Sequence, residues 1–465
     1  MRLTMIWMAA FTVIGVSTAD GSGTQLPHLV VYLSDDHSQV DSSLYGNSNI
    51  PTPQMERLAD DGLVFTHAFV ASPACAPSRA ALLTGLMPAR NGAEANHTQP
   101  RPEIASLIGN LKDAGYCVAA FGKVAHGKQV KRYGFDHVRL QSSLQQLKPN
   151  VRKFLRTYDS SQPLCLFVGT SNPHVPWTSK TTFDMGDVEF PPHHLDTPAT
   201  RQHRAEYYQE IKELDQYLGE LRSDVAQHLG SNVCFVHSSD HGSQWPFGKW
   251  NLYDYGTRVP LIMAWPDHIP SGKTTGAMVS WVDLLPTLID LVGGRLPDDL
   301  DGRSFSDVAL GRADQHRDWI FTTHTGDGRM NVYPIRSVRS RRWKLIHNLH
   351  PEWAHTNHSD LLRKPGAGAY WNEWSDRFLS DERATGIINR YYKRPQWEFY
   401  DLESDPWEQQ NLVNDPNHEA TIGDFKHRLN DWMLQQGDQR TVHADPRPLE
   451  NPNQWHPRSF PDIAD

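Results

Sequence analysis

The sequence predicts an α/β fold: a mixed, mostly parallel sheet sandwiched by helices, followed by a smaller antiparallel sheet with one packed helix. Three observations carry this. Short apolar runs recur up to residue 265, helical patterns separate them, and the pattern changes after about residue 325.

The apolar runs are HLVVYLS (28–34), CVAAFG (117–122), LCLFVGT (164–170), NVCFVHSS (232–239) and VPLIMAW (259–265). Each is short and apolar on both faces, as expected of buried parallel strands. Between them, Ile104, Leu107, Ile108 and Leu111 make one helical stripe. Tyr207, Ile211, Leu214, Leu218, Leu221 and Val225 make a longer one at three-four spacing. WVDLLPTLIDLVG (281–293) is a third helix, with Pro286 at a kink or in the first turn.

Past residue 325, IRSVRSRRWKLIHNL (335–349) reads as a hairpin turning near Ser340, and WEFYDL (397–402) as a third strand. A closing helix carries Ile422, Phe425, Leu429, Trp432 and Met433 on one side. Residues 350–395 show no period and read as an ordered, irregular excursion. The Pro-rich tail from 443 reads as a segment draped on the surface or loose. The expected division is 1–19 signal peptide, 20–325 catalytic domain and 326–465 small α+β subdomain.

The signal peptide rests on Arg2, an apolar stretch from Met5 to Val16, and small residues up to Ala19. That stretch is too short for a secure membrane span. The expected protein is exported, periplasmic or secreted, and not membrane-spanning. Net charge is −9, with no long basic run, which argues against nucleic acid as a partner. Of the four cysteines, Cys117, Cys165 and Cys234 sit inside apolar runs and read as buried thiols. Cys75 lies instead in a Pro-Ser-Arg turn, before a helix starting near Ser78, where the dipole and free amides favour a nucleophile.

Ligands in open α/β sheets bind at the carboxyl ends of strands. Asp35 and Asp36 follow the first run, and Asp240 and His241 follow the fourth. Two acidic clusters so placed can converge on one hard cation; either alone also reads as a solvated turn or a helix cap. Lys123 and His126 follow the second run, His174 follows the third, and Lys249 lies in a later loop. Cations and proton carriers gathered at one rim point to a site for a tetrahedral oxyanion. Arg79 can hold an anion through paired bonds.

The run CAPSRAALLTG (75–85) resembles the signature of type I, formylglycine-dependent sulfatases of the alkaline phosphatase superfamily. The likeness extends through the early Asp pair, TPQMERLADDGLVFTHAFV (52–70), GYCVAAFGK, PHVPW and SDHG to YDLESDPWEQQNL (400–412). Within the family, VRKFLRTYDSSQP (151–163), RSVRSRRWKLIHNL (336–349) and RPQWEFYDLESDPWEQQNL (394–412) resemble the heparan N-sulfatase branch.

The resemblance implies an alkaline-phosphatase-like fold and hydrolysis of sulfate esters or N-sulfates of sulfated carbohydrates. It implies that a maturation enzyme oxidises Cys75 to formylglycine, whose hydrate forms a covalent sulfo-enzyme. One Ca2+ per chain is implied at Asp35, Asp36, Asp240 and His241, touching position 75. Arg79 would steady the hydrate, and Lys123 and Lys249 would clamp sulfate. His174 would protonate the leaving group, and His126 would assist deprotonation of the hydrate. His241 departs from the usual Asn or Asp, and His126 stands one residue later than in the commoner Gly-Lys-Trp-His. The N-sulfatase branch often has Arg in place of Lys249.

His97 and Trp177 are candidate substrate contacts. Trp245, Trp353, Trp371 and Trp374, placed in loops, are expected with basic residues of 336–344 to shape a sugar subsite. Two other readings share these features. One is a phosphodiesterase or phosphonate monoester hydrolase on the same scaffold; the other is a glycan-binding protein with a decayed site.

Overall fold

A computed structural model describes residues 26–159, 161–178, 180–451 and 454–455. The expected signal peptide lies outside the described residues, as does most of the tail beyond 455.

The large sheet has eight strands: β1 His28–Ser34, β2 Leu63–Phe69, β3 Cys117–Gly122, β4 His137–Arg139, β5 Leu164–Gly169, β6 Val233–Ser239, β7 Leu261–Ala264 and β8 Lys273–Ser280. Their order is β4-β3-β5-β1-β6-β7-β2-β8. All neighbours pair parallel except where β7 meets β6 and β2. The expectation of a parallel strand at 259–265 is therefore corrected. Apolarity on both faces marks a central strand but carries no direction.

Alternation along β1 divides the core. Leu29, Val31 and Leu33 face helices Cys75–Thr84 and Trp281–Leu291, while Val30 and Tyr32 face Pro53–Asp60, Leu144–Thr157 and Pro198–Leu229. The longest helix, Pro198–Leu229, contains the expected stripe and is capped by Thr197, which accepts from the Thr200 amide. Helix Trp281–Leu291 starts in a capping box between Ser280 and Asp283 and contains Pro286 in its interior.

The second sheet is antiparallel, ordered β12-β11-β10-β9, with β9 Ile320–His324, β10 Ile335–Arg339, β11 Trp343–Asn348 and β12 Trp397–Asp401. The hairpin and third strand stand as expected. The extra strand β9 begins before residue 326. Helix Glu419–Gln435 buries Ile422, Phe425, Leu429 and Met433 against this sheet, and Trp432 stacks on Phe321 at 4.6 Å.

The stretch 350–395 contains three helices, His358–Leu362, Trp371–Arg377 and Glu382–Tyr392, where irregular structure was expected. Trp371, Trp374, Tyr391 and Tyr392 are all buried in one aromatic cluster. Two of these helices do bury residues at three-four spacing, Trp371, Trp374 and Ser375 in one and Ala384, Ile388, Tyr391 and Tyr392 in the other, but with serine, alanine and tyrosine carrying part of it the stripe does not stand out as apolar. The described part of the tail is pinned, with the Ala354 amide donating to the Arg447 carbonyl at 2.8 Å.

Candidate active site

Helix Cys75–Thr84 starts at Cys75, not near Ser78, and every residue in it is buried. Ala76, Ala80 and Ala81 let it pack closely from all sides, so it shows little amphipathic period. Its first turn points at the carboxyl ends of β1 and β6. There the Cys75 Sγ lies 3.7 Å from Asp35 Oδ1, 3.3 Å from His241 Nε2 and 3.5 Å from Lys123 Nζ.

Arg79 sits one turn deeper and is wholly buried. Its Nε donates to Asp240 Oδ2 at 2.9 Å, and its other nitrogens reach the Lys123 carbonyl, the Ser34 carbonyl and Asp35 Oδ1. All three of its nitrogens therefore hold neighbours. Asp240 accepts from the Asp36 amide through Oδ1 at 3.1 Å, which locks the end of β6 to the end of β1.

Lys123 follows Gly122, whose positive φ lets β3 end against β5; a Cβ there would lie 1.9 Å from the Gly169 carbonyl oxygen. From that turn its ammonium pairs with Asp35. Lys249 lies 3.0 Å from both oxygens of Asp36. The segment bearing it is held by the second sheet: Lys344 donates to the Leu252 carbonyl at 3.1 Å, and Arg339 meets Asp254 at 2.6 Å.

His174 Nε2 lies 3.9 Å from Asp36 Oδ2. Both ends of its loop are tied to Glu210, which accepts from the Asn172 side chain and from the Thr178 amide at 3.1 Å. His241, buried completely, points Nε2 at Asp36 Oδ1 (3.3 Å) and Asp240 Oδ2 (3.6 Å).

Charge balance decides the protonation states. Burial pushes the Asp35 carboxyl up, but Lys123, His174, Arg79 and Lys249 together hold it well below the usual range. Burial likewise raises the Cys75 thiol, and the two lysines overcome that and bring it far down. His241 is pushed up to about 9: Asp240 and Asp36 outweigh its burial. Burial pushes His174 down against the pull of Asp36; an anionic group beside it would restore the proton.

Asp35, Asp36, Cys75 and His241 each offer a ligand atom within 4.8 Å of one another, all four buried. The Asp35 and Asp36 carboxylates, at the end of β1, fit a hard divalent cation, and His241, at the end of β6, adds one nitrogen when the cation displaces its proton. Asp240 stands beside this group, with its oxygens engaged by Arg79 and the Asp36 amide.

This arrangement coincides with a family pattern. The sulfatase family matches residues 27–294, over half the chain, with Asp35, Asp36, Asp240, His241 and the buried Cys75 inside the match. The chain belongs to the sulfatase family. The C-terminal pattern of N-sulphoglucosamine sulphohydrolase also matches this sulfatase, over residues 241–365.

Among curated relatives, an ulvan-active sulfatase of Formosa agariphila is 31% identical over 426 residues, 89% of this chain and 81% of that one. Human N-sulphoglucosamine sulphohydrolase is 28% identical over 89% of this chain and 91% of its own. Among solved structures, a complex with D-glucosamine-2-N,6-O-disulfate superposes with TM-score 0.65 at 18% identity, covering 89% of this sulfatase and 99% of that chain. Phosphonate monoester hydrolase of Agrobacterium radiobacter reaches 0.68 at 18% identity, over 88% and 96%. These two likenesses show the alkaline-phosphatase-like fold.

The expectation that Trp177, Trp245, Trp371 and Trp374 contact substrate is corrected. Trp177 is only 4% exposed and stacks on Trp245 at 4.7 Å, so its ring is closed to a sugar. Trp245, Trp371 and Trp374 are fully buried, the last two on a helix. Arg336 is spent on Asp438, and Arg339 and Lys344 on Asp254. His97 remains at the rim, but Nε2 meets Asp327 at 3.1 Å and Nδ1 meets His126 at 2.8 Å. Both its ring nitrogens are thus taken within the protein.

Sequence reasoning missed Asn96, Asp327, Glu210 and His358. Asn96 accepts from the Ala76 amide at 3.1 Å and donates to Asp327 at 2.7 Å. His358 packs on Trp250 at 4.5 Å, with burial and Lys249 holding it down at about 4. Asp327 follows β9, and the run WIFTTH that precedes it was the available signal.

Proposed function

We propose that the protein is an exported carbohydrate sulfatase that works through formylglycine at position 75 and calcium at Asp35, Asp36, Asp240 and His241. The observation that carries this reading is the Cys75 side chain, buried at a helix N-terminus among two lysines and the strand-end carboxylates. Relatives named for ulvan and for N-sulphoglucosamine support a sulfated sugar as substrate, O- or N-linked. The basic, apolar and small-residue order of residues 1–19 supports export.

Oxidised to formylglycine by a maturation enzyme and then hydrated by one water, position 75 would supply two hydroxyls on one carbon, one as the nucleophile towards sulfur and the other to drive release of sulfate. Calcium supplies positive charge beside the sulfate oxygens. The chain's own residues do the rest. Lys123 and the buried Lys249 neutralise the anion, and burial strengthens such charges. His174, drawn to its charged form by the bound anion, protonates the departing oxygen or nitrogen. Arg79 keeps Asp240 and Asp35 in register with position 75.

The test is a panel of sulfated mono- and disaccharides, with aryl sulfate and aryl phosphate diester, on matured protein. Sulfate release from a sugar, absent in Cys75→Ala, is the expected result. Faster turnover of the phosphate diester than of every sulfate would move the reading to phosphonate or diester hydrolysis.

A further inference from the structure

Asp327, His97 and His126 form a hydrogen-bonded chain, and with His97 neutral its protons have one arrangement. Burial raises the Asp327 carboxyl, but hydrogen bonds from His97 and Asn96 bring it below its usual range, so it accepts only. Oδ2 accepts from Asn96 Nδ2 at 2.7 Å, and Oδ1 lies 3.1 Å from His97 Nε2. That nitrogen therefore carries hydrogen. The bond to Asp327 raises His97 above its usual range despite its partial burial; once the ring is neutral, its Nδ1 is an acceptor, and its 2.8 Å contact requires hydrogen on His126 Nε2. His126 Nδ1 is left bare; it is buried and has no hydrogen-bond partner among the described residues.

Two further features hold the chain in place. His97 has φ 66, a left-handed backbone that a non-glycine residue adopts only when its surroundings enforce it. Gln129, three residues past His126, donates to the carbonyls of His97 and Thr98 at 3.3 and 3.1 Å. The chain also abuts the reacting centre. Asn96 takes the amide of Ala76, next to Cys75, and His126 follows Lys123, whose Nζ is 3.5 Å from the Cys75 sulfur.

We propose that Asp327 and His97 are positioning residues that fix His126 as the Nε2–H tautomer, so that His126 Nδ1 accepts the proton given up at position 75 when sulfate departs. This rests on the sulfatase reading above. In that step an N–H bond forms at His126 Nδ1 as the remaining O–H breaks. The freed electron pair makes the carbonyl, the C–O bond to sulfate breaks, and sulfate leaves with that pair. The charge gained by His126 faces the His97 Nδ1 lone pair, with Asp327 beyond, and the proton then passes to solvent.

Three variants test this in matured protein labelled with 15N-histidine. In Asp327→Asn the carbonyl stays with the Asn96 amide, the new NH2 faces His97, and both rings reverse their tautomers. His97→Gly removes the ring without backbone strain. His97→Asn tolerates the left-handed backbone and keeps a carbonyl near the Nδ1 position. The expected NMR result is His126 as Nε2–H in the wild type and as Nδ1–H in Asp327→Asn. On aryl sulfate, Asp327→Asn and His97→Gly should release the first equivalent of phenol at the wild-type rate. Steady turnover should then fall by roughly 10²-fold or more, with recovery in His97→Asn. An active wild type whose kcat is unchanged in both variants would overturn the proposal, as would a wild-type His126 protonated at Nδ1. A wild type inactive on every sulfate would count against the sulfatase reading, and the NMR assignment would still decide the chain.

Discussion

Arg79 and Asp240 form an ion pair with no solvent exposure on either side, Nε to Oδ2 2.9 Å, and it ties the Cys75 helix to the end of β6. Removing one partner of such a pair leaves a buried charge uncompensated. Arg79→Met should lower stability by about 3–5 kcal/mol in urea unfolding and abolish sulfate release. Arg79→Lys, which keeps the charge but lacks the planar fork, should retain more stability and still lose most activity. Wild-type turnover in Arg79→Lys would contradict the role given to its several donors.

Divalent cation should stabilise the fold. The clustered ligand atoms of Asp35, Asp36 and His241 exist only in the folded chain. Calcium at about 100 times its dissociation constant should therefore add about 2.7 kcal/mol, read as a rise in Tm over chelated protein. Asp35→Ala should lose both that rise and turnover. An equal rise in Asp35→Ala would place the cation elsewhere.

Trp371 should behave as a core residue. It is fully buried against Trp374 and Tyr391, at 5.1 and 4.6 Å. Trp371→Ala should cost about 3–5 kcal/mol by thermal or urea unfolding. Trp371→Phe should cost less and leave KM for a sulfated sugar unchanged. A raised KM in a stably folded Trp371→Phe would reinstate it as a sugar contact.

Acid stability should depend on Asp283. Burial would raise this carboxyl, but Arg317 and His316 hold it far below the usual range. It also accepts from the Ser280 and Arg303 amides, at 2.9 and 2.8 Å. Because its folded pKa is depressed, its contribution is complete above the unfolded value near 3.8 and fades as pH falls towards the folded one. Asp283→Asn should be less stable by about 3 kcal/mol at pH 7, with a flatter stability curve below pH about 4. Parallel curves for the two proteins would refute the assignment.

The sequence by itself determined the central strands, because residues buried on both faces must be apolar in an unbroken run. It determined that Asp35, Asp36, Asp240, His241, Lys123 and His174 follow such strands, and so stand at one edge of the sheet. The Cys75 motif was legible because its chemistry demands particular side chains side by side. Tertiary structure alone decided the direction of β7 and the presence of β8, whose first half is polar and not buried. It also decided the burial of Trp177 and Trp371, since an aromatic ring reads alike whether it meets a sugar or another ring. Asp327 meets His97 across 230 residues of sequence, and His97 meets His126 across 29. No local pattern records partners so far apart; tertiary structure brings them together, with the Asn96 amide donating to the Gly326 carbonyl at 2.9 Å.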